Sequence, residues 1–151
     1  MNYHNITKAD MLNGEGLRVV LWVSGCNHHC KGCQNPQTWD ENSGILFDYK
    51  AENELFVALE PDYISGLTFS GGDPLYPNNR YEITRLAKKI REIYHDKKTI
   101  WLYTGYKYEE VKNLEIIKYI DVLIDGEFIE KLKDNTLEWV GSSNQKIIRL
   151  R

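Results

Sequence analysis

Three cysteines, Cys26, Cys30 and Cys33, fall within eight residues of the stretch Ser24-Gly25-Cys26-Asn27-His28-His29-Cys30-Lys31-Gly32-Cys33, and the chain has no others. Three thiolates at C-x3-C-x2-C spacing can wrap one metal centre from a single loop. A closed structural zinc or an ordinary cubane takes four protein ligands, so this set leaves one position open for chemistry. A 4Fe-4S cluster would be held through three irons, with the fourth free to bind a ligand. Zinc would instead take His28, His29 or a distant residue as its fourth ligand. Zinc modules favour two separated C-x2-C-like knuckles; one compact triplet with no second knuckle favours the cluster. His28 and His29 are then expected to be solvated loop residues.

A second candidate is Gly71-Gly72-Asp73-Pro74. Adjacent glycines let backbone groups approach a ligand closely, and the acidic side chain beside them can hold a ligand ammonium, although the same residues also make a plain turn. Thr104 and Asp125 could hydrogen-bond a carboxylate, a ribose or main chain, or simply cap strand ends. Gly141-Ser142-Ser143-Asn144-Gln145 is a polar loop of the same kind. Trp22, Trp101 and Trp139 read as core or rim packing; Trp39 could shield a metal centre, with core packing the simpler role.

The elements that must position these groups alternate along the chain. Residues 17–23 are almost continuously apolar and predict a buried strand that delivers the cysteine loop from its C-terminal end. Asp48 can cap a helix with Ala51, Leu55, Ala58 and Leu59 on one face, ending before Pro61. Residues 66–69 form a second strand ending in Ser70-Gly71-Gly72-Asp73. Asn79 and Glu82 resemble a capping box, and Ile83, Leu86, Ala87, Ile90 and Tyr94 mark one helical face. Strands at 99–103, 122–124 and 146–150, a helix from Glu109 to about Tyr119 and a short helix from Phe128 to Leu132 complete the pattern. Strand-helix alternation argues for βα units. A complete eight-unit barrel takes about 250 residues, roughly 31 per unit, so this length permits about five units. The expected fold class is therefore α/β, a partial, open (β/α) barrel of about five parallel strands with the cysteine loop after the first strand. Functional groups of parallel βα folds collect at the C-terminal strand tips, which here are the cysteine loop, residues 70–73, 103–105 and 125–126.

The 151 residues suit a single domain with a real core, and 42% hydrophobic and 27% charged residues are ordinary globular values. A net charge of −3 with scattered Lys and Arg gives no electrostatic footprint for nucleic acid. The N-terminal residues contain no apolar run of signal-peptide length, and no stretch approaches the roughly 18 residues of a membrane span. A cytoplasmic location is expected, where clustered cysteines read as metal-binding or catalytic.

C-x3-C-x2-C in the first βα loop, followed by Gly-Gly-acidic-Pro after the second strand, resembles the radical S-adenosylmethionine superfamily. More narrowly, Asn13-Gly14-Glu15-Gly16, Val23-Ser24-Gly25-Cys26, residues 69–75, 102–106, 121–126 and 141–145 resemble the activating enzymes of anaerobic (class III) ribonucleoside-triphosphate reductase. The resemblance spans about residue 10 to residue 150. It implies one radical S-adenosylmethionine domain over 1–151, with Cys26, Cys30 and Cys33 as ligands of a 4Fe-4S cluster. Gly71, Gly72 and Asp73 would bind the methionine ammonium of S-adenosylmethionine, with Thr104 and Asp125 in looser cofactor-binding positions. It further implies an electron from a reduced flavodoxin-like donor, cleavage to methionine and a 5′-deoxyadenosyl radical, and removal of hydrogen from a glycine of the reductase large subunit. Gly32 stands where the superfamily usually has an aromatic or bulky apolar residue, so another residue must cover the adenine. Two alternatives remain: activation of a pyruvate formate-lyase-like enzyme or another radical target, and a non-catalytic zinc-binding module.

Overall fold

Each apolar stretch expected to be a strand becomes one in the computed structural model, which describes residues 1–151. In chain order the elements are β1 (Asn2–Asp10), β2 (Arg18–Val23), β3 (Ile45–Leu46), α1 (Tyr49–Leu59), β4 (Gly66–Gly71), α2 (Arg80–Tyr94), β5 (Thr99–Tyr103), α3 (Tyr108–Val111), β6 (Val122–Asp125) and β7 (Lys146–Arg149). They form one seven-stranded sheet in the order β3-β1-β2-β4-β5-β6-β7, and it does not close.

The sheet is mixed, which corrects the expectation of about five parallel strands. Only β2, β4, β5 and β6 run parallel. The stretch expected to be a fifth parallel strand is β7, antiparallel to β6, while β1 and β3 extend the other edge antiparallel. The connection from β6 to β7 contains only a three-residue 3-10 helix, Glu130–Leu132, and no α-helix to cross the sheet as parallel neighbours usually require, so the chain returns antiparallel. The cysteine loop accordingly follows the first parallel strand, which is the second strand of the chain.

Strand alternation divides the sheet into two faces. Val19, Leu21 and Val23 of β2, Leu67 and Phe69 of β4, and Ile100 and Leu102 of β5 join Leu55 and Leu59 of α1 and Ile83, Leu86 and Ile90 of α2 in one 23-residue apolar core. Full burial of each such side chain contributes about 1.5–3 kcal/mol before the entropy of ordering the chain is counted. The residues between them face the helix-free side, where Trp101, Val122 and Ile124 pack with Tyr103, Trp139 and Val140.

Asp48 caps α1 as expected, accepting a hydrogen bond from the Ala51 amide at 3.0 Å. The expected helix from Glu109 resolves into the four-residue α3 and a separate 3-10 helix, Glu115–Tyr119. Phe128 to Leu132 narrows to a 3-10 turn, Glu130–Leu132. No helix is long and apolar enough to cross a membrane.

Candidate metal and ligand site

The cysteine loop leaves β2 at Ser24, which is fully buried. Its neck is closed by two backbone hydrogen bonds, Gly25 N to Thr38 O at 2.7 Å and Cys26 N to Trp39 O at 3.0 Å. Between these rungs the chain reverses through left-handed turns at His29 (φ 49°) and Gly32 (φ 78°). Cys33 N donates to Cys30 O at 3.1 Å, and the Asn35 amide donates to Cys33 Sγ at 3.4 Å.

The β4 tip lies against this neck. Gly72 N donates to Val23 O at 2.8 Å and Asp73 N to Gly25 O at 2.7 Å. Such close approach explains both glycines: a Cβ on Gly71 would stand 2.5 Å from Val23 N, and one on Gly72 would stand 2.6 Å from Gly25 O. Neighbouring backbone, not turn propensity alone, requires them.

Asp73 is 1% exposed, and its carboxylate ties three strand tips together. Oδ1 accepts from the Leu75 amide at 2.8 Å. Oδ2 accepts from Thr104 Oγ1 and from the Gly105 amide, both at 3.0 Å, and from His28 Nε2 at 2.7 Å. His28 is thus no solvated loop residue: its side chain is 12% exposed, and its Nδ1 lies 3.3 Å from Glu127 Oε2 just beyond β6. The hydrogen bond to Asp73 raises the His28 pKa above its ordinary value, against burial, with Glu127 adding to the rise.

The other expected residues sit at the same sheet edge. Thr104 is buried and also accepts from the Tyr106 amide at 3.2 Å. Asp125 is buried, and its Oδ2 accepts from the Tyr108 amide at 2.8 Å, fixing the start of α3. In the loop 141–145, Gln145 accepts from the Gly141 amide and donates to Gly126 O, folding that loop back onto the β6 tip.

Two further residues of the site escaped sequence reasoning besides His28. Asn79, expected as a helix cap, makes no cap bond; its buried amide donates to Ser24 O at 2.8 Å and to Asp73 O at 3.3 Å, bracing the β2 and β4 tips. Glu127 reaches His28 and lies 3.9 Å from Cys30 Sγ. The signal for Asn79 was weak but present: a polar residue one turn past a strand tip, just before an apolar helical face.

As a donor set, the loop fits a soft metal centre. All three cysteines are free thiols, partly exposed, and no carboxylate stands among them in the loop. They are carried on one loop without being drawn into a ligand group, since no three His, Cys, Asp or Glu side chains are placed to hold a metal ion. Burial raises the Cys26 and Cys30 thiols above their ordinary pKa. Both neighbouring imidazoles are engaged elsewhere, His28 as described and His29 stacked on Trp39 with ring centroids 4.5 Å apart. The Trp39 indole Nε1 is buried without a hydrogen-bond partner, a free donor in the residue that closes the loop's neck.

Comparison with known proteins agrees with this arrangement. Residues 12–148 match the family model described as a 4Fe-4S single cluster domain. The chain is 48% identical over 147 residues to the anaerobic ribonucleoside-triphosphate reductase-activating protein of Enterobacteria phage T4, covering 97% of this chain and 93% of that one. It is 43% identical to the protein of the same name from Escherichia coli K12, over the full length of both. The Haemophilus influenzae protein of that name is also 43% identical, over 100% of this chain and 99% of its own. The chain therefore belongs to the 4Fe-4S single cluster domain family and to the family of anaerobic ribonucleoside-triphosphate reductase-activating proteins.

Proposed function

We propose that residues 1–151 act as one radical S-adenosylmethionine domain that activates anaerobic ribonucleoside-triphosphate reductase by installing a glycyl radical on its large subunit. One observation carries this reading: a loop with three and only three cysteines emerges at the sheet edge where the tips of β4, β5 and β6 also end. When bound, a 4Fe-4S cluster with one open iron supplies the electron that splits S-adenosylmethionine into methionine and the radical that takes hydrogen from the reductase glycine.

In this reading Cys26, Cys30 and Cys33 hold the cluster. The β4 tip offers the ligand's ammonium the open backbone of two glycines, while the buried Asp73 carboxylate, held by four internal hydrogen bonds, fixes that tip and adds its negative charge from beneath. Thr104 and Asp125 fix the neighbouring tips, each through an internal hydrogen bond. The unclosed sheet leaves room for a protein-sized substrate, whose glycine loop would exclude water from the reacting groups. The electron is proposed to come from a flavodoxin-like donor and the site of action to be the cytoplasm.

Anaerobic reconstitution should give about four irons per chain, reducible, with 5′-deoxyadenosine formed from S-adenosylmethionine. Mixing with the reductase should give a glycyl doublet by electron paramagnetic resonance. A colourless protein with one zinc, or a doublet on a formate-lyase and none on the reductase, would overturn the proposal. Replacing any one of the three cysteines with Ala should abolish cluster and activity together while leaving circular dichroism and the unfolding midpoint nearly unchanged, because the apolar core lies elsewhere.

A further inference from the structure

The cysteine loop is joined to its own neck by backbone hydrogen bonds, but only one side chain within the loop reaches the buried acid of the β4 tip. That side chain is His28. Its Nε2 donates to Asp73 Oδ2 at 2.7 Å across 45 residues of sequence, where the acid is itself pinned by Thr104 and Gly105 just past the end of β5. The fit extends beyond the polar contact. A Cβ on Gly105 would stand 2.5 Å from the imidazole, so the ring packs directly on the β5 tip, and Tyr106 meets it edge-on with centroids 4.6 Å apart.

We propose that His28 is a positioning residue that seats the cysteine loop on the strand tips, with Asp73 as its principal anchor and Glu127 as a secondary one. The ranking follows from exposure. The Asp73 side chain is 2% exposed and its bond is shielded from water, whereas the Glu127 side chain is 53% exposed and stands at 3.3 Å. Seating places the loop's thiols beside the residues 71–73 edge; that this serves a cluster and its ligand rests on the function proposed above.

The test uses exposed Lys31 at the loop tip as a reporter. In cluster-free protein, trypsin cleavage after Lys31 reads local opening of the loop. His28→Ala should speed that cleavage about ten-fold, as expected for loss of a buried hydrogen bond to a charged group. His28→Gln, whose amide can donate from nearly the same position as Nε2, should stay within about two-fold of the parent, as should Glu127→Ala. In reconstituted protein, loss of visible cluster absorption to a chelator should accelerate in the same order. Unchanged cleavage in His28→Ala, acceleration spread evenly over all lysines and arginines, or His28→Gln behaving like His28→Ala would each overturn the proposal. The cluster-free arm reads the seat whatever the loop holds, so failure of the proposed function and failure of this inference are separable.

Discussion

Arg18 at the base of the parallel sheet and Asp73 at its tips are both deeply buried charged side chains, and they are satisfied in opposite ways. At the base, Arg18 is fully buried and donates five hydrogen bonds: Nε to Thr68 Oγ1, Nη1 to Glu15 O and Thr99 Oγ1, and Nη2 to Leu67 O and Thr99 O. None of these partners is a carboxylate. Four of the five belong to β4 and β5, and desolvation pulls the Arg18 pKa down to about 10. At the tips, Asp73 accepts four hydrogen bonds, and one of them comes from a side chain in the cysteine loop. The base is a rivet between strands. The tip is a joint between the scaffold and a functional loop, and loops placed by a rigid sheet are where binding groups collect.

The contrast predicts a graded series. Arg18→Met should be the most damaging change, because it strands several buried acceptors at once. A loss of about 3 kcal/mol or more is expected in urea unfolding. Asp73→Asn should cost about 1–2 kcal/mol, since the amide keeps one acceptor oxygen but also presents donors to the Gly105 amide. It should also loosen the cysteine loop and weaken S-adenosylmethionine binding. If Asp73→Asn destabilised the protein as much as Arg18→Met without affecting the loop, the distinction between rivet and joint would collapse.

The smallest effect belongs away from both ends, at Glu52, which joins α1 to Arg85 and Lys89 of α2. Burial alone would raise the Glu52 pKa, but the hydrogen bonds from those two cations outweigh it and hold the carboxyl below its ordinary value. A depressed folded-state pKa stabilises the fold above the ordinary carboxylate pKa, and that contribution fades as pH falls through the folded value. Glu52→Gln should therefore cost about 0.5–1 kcal/mol at neutral pH and progressively less below about pH 4.5, seen as converging unfolding midpoints. A midpoint difference independent of pH would remove the ion pairs from the account.

Much of the fold was legible because it rests on local pattern. The apolar runs at 17–23 and 99–103 are strands because few other structures bury such residues on both faces, and Asp48 caps its helix through an amide three residues away. β1 was missed for the converse reason. Asn-Tyr-His-Asn-Ile-Thr-Lys-Ala-Asp offers only Tyr3 and Ile6 to the interior, and pairing with β2 makes it a strand. At the site, the cysteines and the Gly71-Gly72-Asp73 tip were visible from residue type and spacing. His28 was not, because nothing in its neighbours announces a partner 45 residues away.

Sequence alone thus determined the run of βα units, the polar and glycine-rich ends of their strands and the three-thiol loop, all set by interactions that span a few residues. Tertiary structure decided the direction of the edge strands, the bracing role of Asn79 and the bond that ties His28 to Asp73. Each of these depends on groups far apart in the chain, and Asn79 and His28 meet their partners in a buried place, where an unpaired polar atom is costly and the available partner is set by the packing of the whole sheet.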